Sequence, residues 1–279
     1  MESFLNIFKN GFSLRPVFFR SVTFILFSFL MFPVTSQEIT VMTYNIYHGE
    51  HPAHPGESNL EEVAAVINKY QPDLVALQEV DSMTQRSAGL HPGGPIDQTK
   101  ELARMTGMHG YFGKAMDFDG GGYGEGILSR FPADTSVHSL PVPEGGEARS
   151  LVAIELSVDG KNLVFGGTHL CHESEANRLA QGKAICELIS HGETPVVIGG
   201  DFNFEPGSAP YEALCGCLHD AAKKYGNPLP TYPSESPVKR IDYVFFTQHS
   251  HWKVSEVKVP ESMASDHRPM VVTFRWEGG

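Results

Sequence analysis

Short apolar runs broken by Gly, Pro, Asn and Asp recur along the chain, the pattern of half-buried and fully buried strands. They predict strands near 38–45, 73–78, 125–129, 148–157, 161–168, 195–200, 240–246, 252–259 and 269–276. Three segments place their apolar residues at helical spacing instead. In 59–69, Val63, Val66 and Ile67 recur behind Ser58 as a cap, and 99–105 makes a shorter helix. In 173–189, Leu179, Ile185, Leu188 and Ile189 form the expected buried stripe, with Gly192 just past its end. Asp159-Gly160, between two strands, is a hairpin turn signal and implies antiparallel pairing. The glycine-rich stretch Asp117 to Gly126 reads as a surface loop, and no repeat or low-complexity linker divides the chain. Alternation of helix and strand gives an α/β or α+β class and no finer topology.

The first 36 residues have a different character. Lys9, Arg15 and Arg20 precede the apolar run Ser21 to Phe32, and Val34-Thr35-Ser36 offers a small residue ahead of Gln37. This is the pattern of a secretory signal peptide cleaved near Ser36-Gln37, which implies a secreted or periplasmic protein. An uncleaved membrane anchor is the second reading, although the run is short for a span. Residues 37–279 then form a single catalytic domain, expected to be a monomer. Net charge is −12, and loss of the leader with Lys9, Arg15, Arg20 and Glu2 leaves −14. Unspecific grip on nucleic acid usually needs a basic face, and no Lys/Arg cluster is present. Cys171, Cys186, Cys215 and Cys217 can pair in three ways, and a fully free set stays open beside them. A bridge within Cys215-Gly216-Cys217 would be strained, because that segment reads as helix. Zinc is disfavoured, since the pattern lacks two spaced Cys/His pairs and the polar strand endings offer mainly oxygen donors.

Chemistry enters where polar residues end the apolar runs. Pro195-Val196-Val197-Ile198 leads into Gly199-Gly200-Asp201-Phe202-Asn203. Strand alternation places Asp201 and Asn203 on one face, and the two glycines would let a ligand approach the backbone. Aspartate can hold a hard cation or orient water, and the asparagine amide can donate to a phosphoryl oxygen. Similar endings follow elsewhere: Asn45 after Val41-Met42-Thr43-Tyr44, Glu79 in Leu77-Gln78-Glu79-Val80, and His169 in Thr168-His169-Leu170. Asp242 lies within Arg240-Ile241-Asp242-Tyr243-Val244, and Ser265-Asp266-His267-Arg268-Pro269 opens the last strand.

These motifs, in this order, resemble the endonuclease/exonuclease/phosphatase superfamily from about Ile39 to Trp276. The resemblance implies a four-layer sandwich of two packed, mostly antiparallel β-sheets flanked by helices, with the active site on loops at one end. It implies a phosphodiester substrate and Mg²⁺ as cofactor, with Mn²⁺ or Ca²⁺ admissible. Glu79 looks like the principal metal carboxylate, Asn45 its amide companion, and Asp266 a second metal or metal-water ligand. His267 resembles a general base oriented by Asp242. Asp201 resembles the aspartate that contacts the attacking water, so base duty is open between it and His267.

His169 resembles the histidine that deoxyribonuclease-like and sphingomyelinase-like members place on the scissile phosphate. Arg149 resembles a phosphate-binding guanidinium, with a surface ion pair to Glu147 or Glu155 as its alternative. Arg178 and Gln181 are expected to brace the loop after His169, and Cys171 and His172 to be loop residues. Specificity is expected in Ser82 to Tyr123, a long polar stretch offering Arg86, Asp97, Gln98, Lys114 and Tyr123. No motif there names a head group, and it is the acidic charge without a basic stripe that favours a lipid head group or small diester over nucleic acid. Secreted nuclease action stays admissible, because the deoxyribonuclease that these motifs resemble is itself acidic. A catalytically silent phospho-ligand or partner-binding relative is the reading of another class.

Overall fold

The computed structural model of the protein describes residues 37–277 apart from His191 and His249, so the expected signal peptide lies outside the described residues. In chain order the elements are β1 (Glu38–Asn45), α1 (Leu60–Tyr70), β2 (Leu74–Ser82), α2 (Gln85–Leu90), α3 (Gln98–Thr106), β3 (His109–Phe118), β4 (Gly121–Ser129), β5 (Asp134–Leu140) and β6 (Arg149–Val158). There follow β7 (Lys161–His169), α4 (Glu175–Ile189), β8 (Val196–Asp201), α5 (Ala209–Cys215), β9 (Leu218–Asp220), α6 (Ala221–Tyr225), β10 (Asp242–Thr247), β11 (Trp252–Lys258) and β12 (Met270–Trp276).

The strands form two six-stranded mixed sheets, ordered β11-β12-β1-β2-β4-β3 and β5-β6-β7-β8-β10-β9. Only the β1–β2 and β7–β8 pairs are parallel; the other pairs are antiparallel. Side-chain alternation explains the layering. Val41, Leu74, Ala76 and Ile127 of the first sheet meet Val152, Ile154, Phe165, Val197 and Val244 of the second in one buried core. The other face of the first sheet, with Met42, Val75 and Leu77, packs on Leu60, Val63, Ile67 and Leu102 of α1 and α3. The outer face of the second, with Ile198, Tyr243 and Phe245, packs on Ile185, Tyr211 and Leu214 of α4 and α5. This is the expected four-layer sandwich.

Several local expectations change. Gly199 faces the opposite sheet: a Cβ there would lie 3.0 Å from Thr43 Cβ and 3.1 Å from Ala76 Cβ. One on Gly200 would lie 2.4 Å from the Thr168 carbonyl oxygen, so these glycines serve close packing and not approach by a ligand. The stretch 117–126 is the β3–β4 hairpin and not a surface loop; a Cβ at Gly124 would lie 2.1 Å from the Gly113 carbonyl oxygen. Glycines had hidden the alternation there, and Ser82 to Tyr123 accordingly holds α2, α3 and β3.

Asn59, not Ser58, occupies the cap of α1, and Ser58 Oγ accepts from Leu60 N at 3.3 Å. The Asn59 amide instead donates to Ile46 O at 2.8 Å and Ala264 O at 2.7 Å, tying two site-bearing segments together. In α4 the buried face is Asn177, Gln181, Gly182 and Ile185, while Leu188 is exposed. Gly182 lets Leu214 of α5 come close, which turns the stripe away from Leu188. Cys186 is bridged to Cys217, linking α4 to the end of α5, and Cys171 and Cys215 are free. Among the described residues no helix is long and apolar enough to cross a membrane.

Candidate active site

Both parallel strand pairs end at the same edge of the sandwich, and this brings the polar endings together. β1 delivers Asn45, β2 Glu79, β7 His169 and β8 Asp201, while β6 and β10 begin there with Arg149 and Asp242. Asp242 is thus the first residue of its strand and not a mid-strand one. The segment 265–267, just ahead of β12, is held against β1 by Ser265 Oγ donating to Asn45 O at 2.7 Å. The result is an open cleft of about 680 Å³ lined by Glu79, Arg149, His169, Asp201, Asn203, Asp266 and His267, among others.

Glu79 owes its direction to a break in β-pairing. The β2–β4 register shifts between Leu77 and Val80, and Glu79 takes a positive φ of 57°, unusual for a residue with a Cβ. Backbone strain of this kind commonly marks functional positions. Asn45 Nδ2 donates to Glu79 Oε1 at 2.9 Å and to Asp201 Oδ2 at 3.1 Å. Burial would raise the Glu79 carboxyl, but His48, His169, Asn45 and His267 together hold it down to about 2. It is a carboxylate at any working pH. Asp266 is raised by burial and further by Glu79, with His267 opposing. Two carboxylates in one cleft, the ionised Glu79 raising Asp266, with oxygen donors around them, suit a hard divalent cation.

A second carboxylate and histidine group lies alongside. His267 Nδ1 is 2.9 Å from Asp242 Oδ2, which also accepts from Thr231 Oγ1 at 2.5 Å. His267 Nε2 is 3.6 Å from Asp201 Oδ2. Burial alone would lower the imidazole, yet Asp242 and Asp201 outweigh it and push it up to about 10. It is therefore an imidazolium near neutral pH. Burial raises Asp201, with His267 opposing. Asp201, Asp242 and His267 offer ligand atoms within 4.8 Å of one another, a grouping able to hold a metal ion. Asp242 is turned onto His267 and Thr231, while Asp201 and His267 line the open cleft together with Glu79 and Asp266.

His169 lines the cleft beside Arg149 and Asn203. Asn203 Nδ2 is 2.9 Å from its Nε2, and Arg149 Nη1 is 3.3 Å from its Nδ1. Burial and the Arg149 charge push it well below the usual histidine value, so the ring is neutral. A neutral ring accepts at one nitrogen only, which leaves one of these two donors in surplus. Arg149 Nε is also buried without a partner among the described residues. Asn203 reaches its place through a tight turn, φ 50° with its N donating to Asp201 Oδ1 at 3.0 Å, and not by strand alternation.

The specificity candidates divide. Arg86 is held bidentately by Asp81 at 2.8 Å, its guanidinium 4.5 Å from the Phe118 ring centroid, and lines the cleft with Tyr123. Asp97 instead caps α3, Gln98 Nε2 donates to His48 O at 2.7 Å, and Lys114 pairs with exposed Asp117. Arg178 donates to the carbonyls of Cys171 and His172, and Gln181 accepts from Cys171 N, which braces the loop after His169. Three residues escaped the sequence reading. His48 lies 3.5 Å from Glu79 Oε2 through a left-handed turn that strand or helix spacing cannot reveal. Glu125 sits among glycines in β4, fully buried, its carboxyl on Ser150 Oγ of the opposite sheet and pushed up to about 8 by burial. Glu147, considered only as a surface partner, lines the cleft itself.

Comparison with known proteins agrees with this architecture. The profile of the Endonuclease/Exonuclease/phosphatase family matches residues 42–267. The Escherichia coli (strain K12) protein YbhP is 25% identical over 249 residues, covering 82% of this chain and 93% of its own. A crystal structure of an endonuclease/exonuclease/phosphatase from Beutenbergia cavernae is 26% identical with a TM-score of 0.67, covering 87% of this chain and 72% of that one. The Bacteroides thetaiotaomicron mannosyl-6-phosphatase Bt3783 shares the fold at 20% identity and a TM-score of 0.68, covering 84% of this chain and 98% of that one.

Proposed function

The chain belongs to the endonuclease/exonuclease/phosphatase family of phosphoester hydrolases, and from that premise we propose that it is an exported, divalent-metal-dependent phosphodiesterase. The observation that carries this reading is the pairing, in one cleft, of the Glu79 and Asp266 carboxylates with the Asp201, His267 and Asp242 group. Glu79, Asp266 and Asn45 would hold the cation, Mg²⁺ first and Mn²⁺ or Ca²⁺ also by donor type. When bound, such a cation neutralises charge on the phosphoryl oxygens as the bond to the leaving oxygen breaks.

The protein's own groups divide the remaining work. Asp201, raised toward the neutral range, orients the attacking water and accepts its proton. His267 is held as an imidazolium by Asp242 and donates its Nε2 hydrogen toward a phosphoryl oxygen or Asp201. The charge on His267 supports Asp201 over His267 as the base. Arg149, whose Nε is enclosed, offers the remaining phosphoryl oxygens its positive charge, and Asn203, whose amide donates to His169 Nε2 and Leu170 O, holds His169 beside it.

A lipid head group or small diester is the favoured substrate class. The acid-rich cleft and the −12 formal charge of the chain support it over secreted nuclease action. A catalytically silent phospho-ligand binder would need none of the strained Glu79 geometry. Export is supported by the Cys186–Cys217 bridge, a feature of oxidising compartments. Purified residues 37–279 incubated with bis(p-nitrophenyl) phosphate, phospholipid vesicles and DNA, each with Mg²⁺ and then with chelator, test the reading. Chelator-resistant turnover, or DNA cleavage outpacing every small diester and phospholipid, would refute it.

A further inference from the structure

Arg149 is 2% exposed, and three of its nitrogen positions have different fates. Nη1 faces His169, Nε is buried without a partner among the described residues, and Nη2 donates to Glu147 Oε2 at 2.8 Å while lying 3.1 Å from His172 Nδ1. Glu147 is not a loose surface acid. Its loop is pinned to the start of α4, with Glu144 N donating to Asn177 Oδ1 at 2.9 Å and Asn177 Nδ2 donating to Gly145 O at 2.8 Å. Gly145 and Gly146 then take positive φ of 76° and 99°, a turn that glycine tolerates, just ahead of cleft-lining Glu147. A carboxylate thus rests on the outer guanidinium nitrogen at the wall of the cleft.

We propose that Glu147 is a specificity-determining residue, setting the Arg149 subsite for a singly charged phosphodiester and against a doubly charged phosphomonoester. The inference rests on the phosphodiesterase reading of the same cleft. A diester carries one negative charge, whereas a monoester above its second ionisation, near pH 6, carries close to two. The ion pair with Glu147 cancels most of the Arg149 charge, and a second phosphate charge meets the carboxylate at short range in a cleft that already holds Glu79 and Asp266. Arg149 Nε is enclosed, so what the guanidinium still offers a monoanion is its residual positive charge and not a free donor.

Glu147→Gln removes the charge and keeps the shape and an acceptor oxygen for Nη2. The measurements are kcat/KM for p-nitrophenyl phosphate and for bis(p-nitrophenyl) phosphate with Mg²⁺ at pH 8, and calorimetric Kd for inorganic phosphate at the same pH. The monoester-to-diester ratio should rise about tenfold, chiefly through KM, and phosphate should bind more tightly by a similar factor. Glu147→Asp, which keeps the charge, should hold the ratio close to the original. An unchanged ratio, or a joint fall in both activities with weaker phosphate binding, would overturn the proposal and leave Glu147 as a mere brace for Arg149. Calorimetry needs no turnover, so failure to hydrolyse either ester would refute the phosphodiesterase reading separately, while unchanged phosphate affinity refutes this one.

Discussion

Replacing Glu125 by Gln should make the protein more stable, and increasingly so as pH rises. The Glu125 side chain bridges the two sheets to Ser150 Oγ and is 1% exposed, so ionising it would bury a carboxylate with little to solvate it. Its carboxyl moves from the usual 4.5 to about 8, with burial as the dominant cause and Ser150 and Arg149 opposing. A raised folded-state value means that the folded protein binds the extra proton. The stability this group supports is therefore full below about pH 4.5 and is lost as pH rises to about 8, where the buried group finally ionises. At ~1.4 kcal/mol per pH unit the whole loss is ~5 kcal/mol as an upper bound. Gln has the size of the neutral acid and no proton to lose. Urea unfolding with the disulfide intact, followed by tryptophan fluorescence at several pH values between 4.5 and 8, measures the difference directly, because all other titrations cancel between the two proteins. The gap should widen with pH in favour of Glu125→Gln. Parallel stability curves, or a gap widening in the other direction, would show that Glu125 is an ionised counter-charge to Arg149 and refute the reasoning.

Glu79→Gln should leave the fold intact and reduce turnover by at least a hundredfold, with Mg²⁺ binding weakened in calorimetry, since one charge is removed from a hard-cation site. Asp201→Asn should abolish the acidic limb of the pH–rate profile. His267→Ala should lower kcat by 10²–10⁴-fold yet retain that limb; its loss in His267→Ala would return base duty to His267. Replacing both Cys186 and Cys217 by Ser, which reopens a sequence separation of 31 residues, should cost ~3–4 kcal/mol in chain-entropy terms, read by urea unfolding against the oxidised protein. Gly199→Ala should destabilise by ~1–3 kcal/mol through its contacts with Thr43 and Ala76, and unchanged stability would show that the sheets can separate locally.

The strands flanking the cleft were legible because each couples an apolar run to a polar ending, as Val196 to Ile198 does before Asp201. β3, β5 and β9 were not. Gly113, Gly122, Gly124 and Gly126 erase the alternation of the β3–β4 hairpin, and Ser136 and His138 leave β5 too polar to read as a strand, since its edge position leaves most of it exposed. The same limit applied within the site. Asn45, Glu79 and Asp266 announce themselves by motif, but His48 depends on left-handed backbone at Tyr47 and His48, and Glu125 on a partner in the other sheet. Which atoms of Arg149 are occupied, and by which carboxylate, is a matter of loop conformation that residue order does not carry.

β1 runs from Glu38 at one edge of the sandwich to Asn45 in the cleft at the other. Gln37, just ahead of it, donates to Val158 O at 2.8 Å and to Asp159 Oδ2 at 3.0 Å at the β6–β7 turn. A strand of this length spans ~25 Å, so the chain enters on the floor of the molecule and the chemistry opens through its roof. An affinity tag, a fluorescent partner or a bead coupled ahead of residue 37 would therefore stand behind the enzyme and leave the mouth clear. By the same geometry, an enzyme tethered by that end to a flat surface would face outward and meet dissolved esters before those lying in the surface that holds it.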